Sequence, residues 1–342
     1  MIDKKVIVTG GMGYIGSHTV VALINSGYSI VIIDNLCNSN IAVLKSIYEI
    51  TGVTPKFENI DITDIDKTTD FFKRHKDAFA IINFAALKAV GESVQKPTLY
   101  YRQNLNILLN VLDGMVNNEI KNILFSSSAT VYGLPDKLPI TENSETKRPT
   151  SPYGNTKKIA EEIIEDFLNV KHSFNGISLR YFNPIGAHES GKIGELPTGI
   201  PNNLMPFITQ TAAGVRNELK IFGTDYKTHD GTAIRDYIHV VDLAEAHVKA
   251  LNRLLNEDSK ENFEIFNLGT GIGYSVLDVV NSFEKTSQQK LNYSFEQRRE
   301  GDVPELYANS SKATKHLGWK TELTLDDMTK SSWNWEKKNR NL

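Results

Sequence analysis

The chain has 342 residues, 40% hydrophobic and 23% charged, with a formal net charge of −3, a composition that suits one large or two modest globular domains. The lack of a basic run excludes a nucleic-acid footprint, and the lack of an apolar run near ~18 residues excludes a membrane helix. A single cysteine, Cys37, excludes an intrachain disulfide framework; no Cys/His cluster points to a metal; and a start that runs into a strand without a signal peptide implies a cytoplasmic protein.

Val6-Ile7-Val8-Thr9 reads as a buried strand. Gly10-Gly11-Met12-Gly13-Tyr14-Ile15-Gly16 follows, and then a helical pattern over residues 17–26. Glycines at 10, 13 and 16 let backbone approach a pyrophosphate, whose charge a helix N-terminus favours. A second strand, residues 30–33, ends in Asp34, 18 residues after Gly16, near the ~20 usual for a carboxylate that binds an adenosine ribose. No Lys or Arg stands between Asp34 and Lys45 to meet a 2′-phosphate, so the cofactor reads as NAD rather than NADP.

Further strands are expected at 56–59, 80–84, 123–127 and 177–181, with helices at 65–75, 99–117 and 151–170. The alternation implies right-handed crossovers and a Rossmann-type, doubly wound parallel sheet, an α/β fold whose ligands lie at the carboxyl ends of the strands. The Gly loop, Asp34, Phe84-Ala85-Ala86 and Ser126-Ser127-Ser128 all follow strands. Ser151-Pro152 has the order of an N-cap and first turn, so the helix it opens places Tyr153 and Lys157 at i and i+4 on one face. An ammonium beside the phenol is expected to bring its pKa toward neutrality, giving a general base for an alcohol, and the Ser128 hydroxyl could bond the same alcohol.

Past Tyr181 the texture changes. Residues 183–206 are rich in Gly, Pro and Asn, reading as a long ordered loop. Helices are expected at 204–215, 241–255 and 276–285, and a strand at 220–222; residues 263–268 could return to the main sheet. The division implied is 1–182 for the dinucleotide-binding domain with the catalytic residues and 183–342 for a smaller α/β substrate domain.

With these motifs in view, the chain resembles the extended short-chain dehydrogenase/reductase superfamily and, within it, the UDP-glucose 4-epimerase family. The resemblance runs almost end to end. It is carried by residues 9–19, 34–39, 87–97 and 126–133, by Ser151-Pro152-Tyr153-Gly154 and Leu179-Arg180-Tyr181-Phe182-Asn183-Pro184, and by residues 200–206, 235–240 and 298–302. It implies that Tyr153, as phenolate, takes the proton of a sugar 4-hydroxyl while hydride passes to tightly held NAD. Lys157 lowers the phenol pKa and holds the nicotinamide ribose, and Ser128 orients the 4-oxygen. The 4-keto sugar then turns over and takes the hydride back on its other face.

Gly10, Gly13, Tyr14, Ile15 and Gly16 match the family's pyrophosphate loop. The resemblance places Asp34, Asn35, Asn38 and Ser39 at the adenosine ribose, Asp61 and Ile62 at the adenine, and Phe84, Ala85, Lys88 and Phe182 along NAD. It assigns Asn183, Asn203, Lys220, Ile221, Phe222, Arg235, Arg299 and Asp302, with Lys88, Ser128 and Tyr153, to the UDP-sugar. Arg235 and Arg299 suit a diphosphate, although Arg235 could instead pair within the chain, for instance with Asp236, and Asn203 could serve only turn chemistry. A homodimer is also implied, through the two long helices at 99–117 and 151–170 unless their apolar stripes are core.

Three positions depart from the family pattern. Ala86 replaces a frequent Gly, and Gln103 replaces an Asn that contacts the cofactor, keeping its donor and acceptor on a longer arm. Leu306 stands where relatives strict for UDP-glucose and UDP-galactose carry a Tyr that walls the sugar pocket. Either it leaves room for a 2-acetamido group, admitting UDP-GlcNAc and UDP-GalNAc, or it is a core residue beside a space-filling Tyr307. The related 4,6-dehydratases carry an Asp-Glu pair after the fifth strand; this chain has Ala129-Thr130-Val131.

Overall fold

The computed structural model describes residues 4–299 and 302–342; Glu300 and Gly301, within one segment that carries the resemblance, lie outside the described residues. In chain order the elements are β1 (Lys5–Thr9), α1 (Tyr14–Asn25), β2 (Ser29–Asp34), α2 (Ala42–Thr51), β3 (Lys56–Asn59), α3 (Ile65–Arg74), β4 (Ala80–Asn83), α4 (Val90–Gln95), α5 (Pro97–Asn118), β5 (Asn122–Ser128), a 3-10 turn (Ala129–Tyr132), α6 (Pro152–Val170) and β6 (Asn175–Tyr181). There follow β7 (Asn183–Ile185), α7 (Leu204–Ala212), β8 (Leu219–Phe222), β9 (Ile234–His239), α8 (Val240–Leu255), β10 (Phe263–Leu268), β11 (Gly273–Ser275), α9 (Val276–Ser287), β12 (Tyr293–Glu296), β13 (Glu305–Leu306), α10 (Ser311–Leu317) and α11 (Leu325–Arg340). No helix among the described residues is long and apolar enough to cross a membrane.

Seven strands form one sheet in the order β10-β6-β5-β4-β1-β2-β3, the doubly wound arrangement that the alternation of elements implied. β1 lies inside the sheet between β4 and β2, and its Val6, Ile7 and Val8 are fully buried, as a strand covered on both faces requires. Thr9 pairs with Ile33 on one side and Asn83 on the other, and Asn83 pairs with Phe125. This register brings the carboxyl ends of β1, β2, β4 and β5 level, so the loops after them open at one sheet edge. Beneath lies a core of Ile7, Ile81, Ile123, Phe71, Phe72, Leu108, Val111, Met115, Ile164 and Leu168. α5 starts at Pro97. α6 starts at Pro152 with the Ser151 hydroxyl accepting from Gly154 N at 3.2 Å, the predicted cap.

The chain divides into two units. One holds the chain up to Gly133, Glu145–Arg180 and Ala244–Phe266; the other holds Leu134–Ser144, Tyr181–Leu243 and Asn267–Leu342. The sequence reading places one cut after 182; the structure divides near that point but also exchanges two segments. β10 does return to the main sheet at its edge, and α8 is tied to the first unit where Tyr28 Oη donates to Asn252 Oδ1 at 2.6 Å. The second unit is built on β9, which pairs with β11, β13 and β7, beside a two-stranded β12-β8 sheet. Its core includes Ile185, Met205, Ile208, Ile221, Tyr237, Val280, Phe283, Met328 and Trp333.

Candidate active site

The Gly10–Gly16 loop closes tightly, with Gly10 N donating to Ile33 O at 2.9 Å and Gly13 N to Gly10 O at 3.1 Å. Gly10 sits at φ +66°, and a β-carbon there would lie 2.9 Å from Ala85 N; one on Gly16 would lie 2.3 Å from Gly10 O. Only glycine fits either place. α1 starts at Tyr14 with no capping side chain and no acid in its first turn, leaving its positive end to an external anion. Tyr14 and Ile15 are half-buried there.

Asp34, 8% exposed, closes β2. Its Oδ2 accepts from Met12 N at 3.0 Å, and its Oδ1 accepts from Leu36 N at 2.8 Å and Ser39 Oγ at 3.0 Å. The carboxylate is thereby fixed against the Gly loop. Asn35 donates to Asp61 Oδ2 at 3.0 Å. Burial works to raise the Asp61 carboxyl, but bonds from Thr63 and Asn35 outweigh it and hold the group below its ordinary range. Ile62 is buried, Asn38 exposed. Phe84, Ala85 and Ala86 follow β4 half-buried, and Lys88 is exposed beyond them. These predicted residues therefore gather at one edge of the sheet.

Gln103 is half-buried on α5. Its neighbour Asn104, which the motifs did not single out, does more. Its Oδ1 accepts from Leu87 N at 2.8 Å, while its Nδ2 donates to Leu87 O and to Thr156 Oγ1, both at 3.0 Å. Thr156 Oγ1 donates onward to Tyr153 O at 2.7 Å. The loop before Lys88 is thus locked to the turn of α6 that carries Tyr153 and Lys157. An Asn mid-helix, where propensity disfavours it, was the available signal.

Tyr153 and Lys157 share one face of α6, and the Ser128 hydroxyl is near enough to the Tyr153 phenol to work against the rise of its pKa. Ser128 Oγ also accepts from Thr130 N at 3.2 Å and Thr130 Oγ1 at 3.0 Å. Lys157 is buried; its Nζ donates to Ser126 O at 2.6 Å and lies 4.9 Å from the Phe125 ring centre and 6.0 Å from that of Tyr153. The expectation that Lys157 draws the phenol toward neutrality needs correction: burial pushes Tyr153 up to about 12, opposed only by the Ser128 bond. The same enclosure lowers Lys157 to about 8, with the Glu161 charge opposing. Glu161, one turn on, accepts from Arg180 Nε at 3.0 Å, Arg180 Nη2 at 2.7 Å and Ser178 Oγ at 2.6 Å.

In the second unit, β9 carries Arg235 and pairs with the strands that carry Leu306 and Asn183. Leu306 pairs with Arg235, and Asn183 with Tyr237. Arg235 is ion-paired with Asp302, not with Asp236, and donates through Nη1 to Ile234 O at 2.8 Å and Val303 O at 2.9 Å. Asp236, on the other side of β9, is fully buried and accepts from Thr270 N, Thr270 Oγ1, Gly271 N and Ala308 N at 2.7–3.0 Å. The Arg299 guanidinium lies 4.1 Å from the Phe222 ring centre, Lys220 pairs with Glu296 at 2.6 Å, and Ile221 is core. Phe182 is buried, its N donating to Leu268 O at 3.1 Å. Asn203 donates to Glu195 Oε1 at 2.6 Å.

The family model for GDP-mannose 4,6 dehydratase matches residues 7–332. The UDP-glucose 4-epimerase of Drosophila melanogaster is 49% identical, covering 100% of this chain and 99% of that one; that of Yersinia pestis is 50% identical, covering 98% of each. The structure of the Bifidobacterium longum UDP-glucose 4-epimerase in complex with NAD+ and UDP matches with a TM-score of 0.94 at 47% identity, over 99% of each chain. Identity of this order along the whole length, on a shared fold, makes the chain a member of the UDP-glucose 4-epimerase family of extended short-chain dehydrogenase/reductases.

Proposed function

We propose that the protein inverts C4 of a UDP-hexose, interconverting UDP-glucose and UDP-galactose through a transient 4-keto sugar with NAD retained throughout. The observation that carries this reading is the buried Tyr153 phenol with Lys157 on the same helix face, its Nζ 6.0 Å from the phenol ring centre, and the Ser128 hydroxyl acting on the phenol. The cofactor fits the residues present: two glycines admit no side chain, the start of α1 is uncapped, and the Asp34 carboxylate stands at the end of β2. Gly10, Gly13, Tyr14, Ile15 and Gly16 would hold the pyrophosphate. Asp34, Asn35, Asn38 and Ser39 would hold the adenosine ribose, Asp61 and Ile62 the adenine, and Phe84, Ala85, Lys88, Gln103 and Phe182 the remainder. NAD, when bound, supplies a hydride acceptor and a cationic ring, whose charge favours a nearby phenolate.

The chain's own residues move the proton. Tyr153 takes it from the 4-hydroxyl and returns it after the sugar has turned, so the cycle is neutral in protons and electrons. Ser128 holds the 4-oxygen, and Lys157 keeps a positive charge on the same helix face. Arg235, Arg299, Lys220, Ile221, Phe222, Asn183, Asn203 and Asp302 would hold the UDP moiety; Asp302 now occupies the Arg235 fork that a diphosphate would share. The 4,6-dehydratase alternative lacks its acid, since Ala129, Thr130 and Val131 fill the turn after β5. Tyr153→Phe should lower turnover of UDP-galactose by about 10²–10⁴-fold, the usual share of a general base, while released NAD per chain stays constant. Turnover within a few-fold of the parent contradicts the assignment.

We extend the proposal to N-acetylated UDP-sugars. Leu306 is half-buried and pairs with Arg235 across β13 and β9. Tyr307, next along an extended segment, points to the opposite face, where its ring lies 3.4 Å from the β-carbon position of Gly273. Both observations favour a pocket wall shortened by Leu306 over a core role. We also read the protein as a homodimer through α5 and α6, which expose Leu99, Leu109 and Val170.

A further inference from the structure

Resting on the assignment of Asn203 to the UDP-sugar, we propose that Glu195 is a positioning residue for substrate, acting by aiming the Asn203 side chain. Asn203 occupies the N-cap of α7, a place where its side chain ordinarily accepts from the helix's second or third N–H. Pro206, third in α7, has no N–H to give, and Asn203 makes no capping bond at all. Its Nδ2 donates instead to Glu195 Oε1 at 2.6 Å, a short bond to a carboxylate.

Glu195 is itself anchored. Trp335 Nε1, from α11, donates to Glu195 O at 3.2 Å. The Trp335 ring packs so closely on the preceding residue, Gly194, that a β-carbon there would fall 2.4 Å from it. A rigid line therefore runs from α11 through Glu195 to Asn203, fixing which way the amide faces. With Nδ2 spent in part on the carboxylate, Oδ1 is held in one direction as an acceptor.

The test is UDP binding by calorimetry, with KM and kcat for UDP-galactose, on the holoenzyme. Asn203→Ala should weaken UDP binding and raise KM about tenfold with kcat little changed. Glu195→Ala should do the same without lowering Tm, because Asn203 can then turn back to cap α7. Glu195→Gln, which keeps an acceptor oxygen, should recover most of the affinity, and the Glu195→Ala/Asn203→Ala pair should lose no more than Asn203→Ala alone. Should Glu195→Ala fold poorly, Glu195→Met keeps the stem and carries the same expectation. If Asn203→Ala weakens binding and neither Glu195 variant does, the positioning role is overturned while the substrate assignment stands. If Asn203→Ala changes nothing, the assignment of Asn203 fails and the role of Glu195 fails with it.

Discussion

At Tyr153 burial and hydrogen bonding pull in opposite directions, and burial wins. The sequence placed Tyr153 and Lys157 on one face because Ser151-Pro152 fixes where α6 begins. Spacing alone could not say that the ammonium is held by Ser126 O, with its charge 6.0 Å from the phenol ring centre. Lys157 and Asn104 show the same limit: side-chain destinations depend on neighbours distant in sequence. Leu306 is the residue on which the proposed breadth of substrate turns. Replacing it with Tyr should restore a wall and lower the ratio of kcat/KM for UDP-GalNAc over UDP-galactose by about tenfold or more, the scale at which a filled pocket discriminates. An unchanged ratio in coupled assays of the two sugars removes Leu306 from the specificity argument.

Among the elements, those bounded by caps and built on regular apolar periods were legible. β1, β2, β4, β5, α5 and α6 lie within two residues of their expected ends. β9 was not foreseen, because Arg235 and Asp236 interrupt its apolar pattern; both are satisfied only by residues far along the chain. α11 was missed for a related reason, its stretch being strongly polar. β9 also ends in a buried histidine. His239 accepts at Nδ1 from Val241 N at 3.1 Å and faces Ser331 Oγ through Nε2 at 3.0 Å.

Burial lowers His239 from 6.5 to about 4, with Asp327 opposing. Between these values the unfolded chain binds a proton that the folded chain does not. The stability is therefore full above about pH 6.5 and declines as the pH falls toward 4, by about 3 kcal/mol from this group. Urea unfolding of the parent and of His239→Gln at pH 4–7 should show the parent losing more stability on acidification; parallel slopes contradict the assignment.

For the whole molecule, the fold class was readable from the alternation of strands and helices. The exchange of Leu134–Ser144 and Ala244–Phe266 between units was not, since a linear cut cannot represent a chain that returns to its first sheet. The dimer proposed through α5 and α6 predicts a sedimentation mass twice 38.3 kDa, and a single-chain mass for variants in which Leu99 and Leu109 become Asp. A dimer unaffected by those changes places the interface elsewhere. The central claim is redox-neutral inversion at C4 by a protein that keeps its NAD. The most direct measurement is to incubate the purified protein, with no added cofactor, separately with UDP-galactose and UDP-GalNAc and measure kcat/KM for C4 inversion. Formation of UDP-glucose without net NADH is the predicted result, with UDP-GlcNAc formed as well if Leu306 opens the pocket; no inversion of either sugar by protein confirmed to hold NAD would contradict the account.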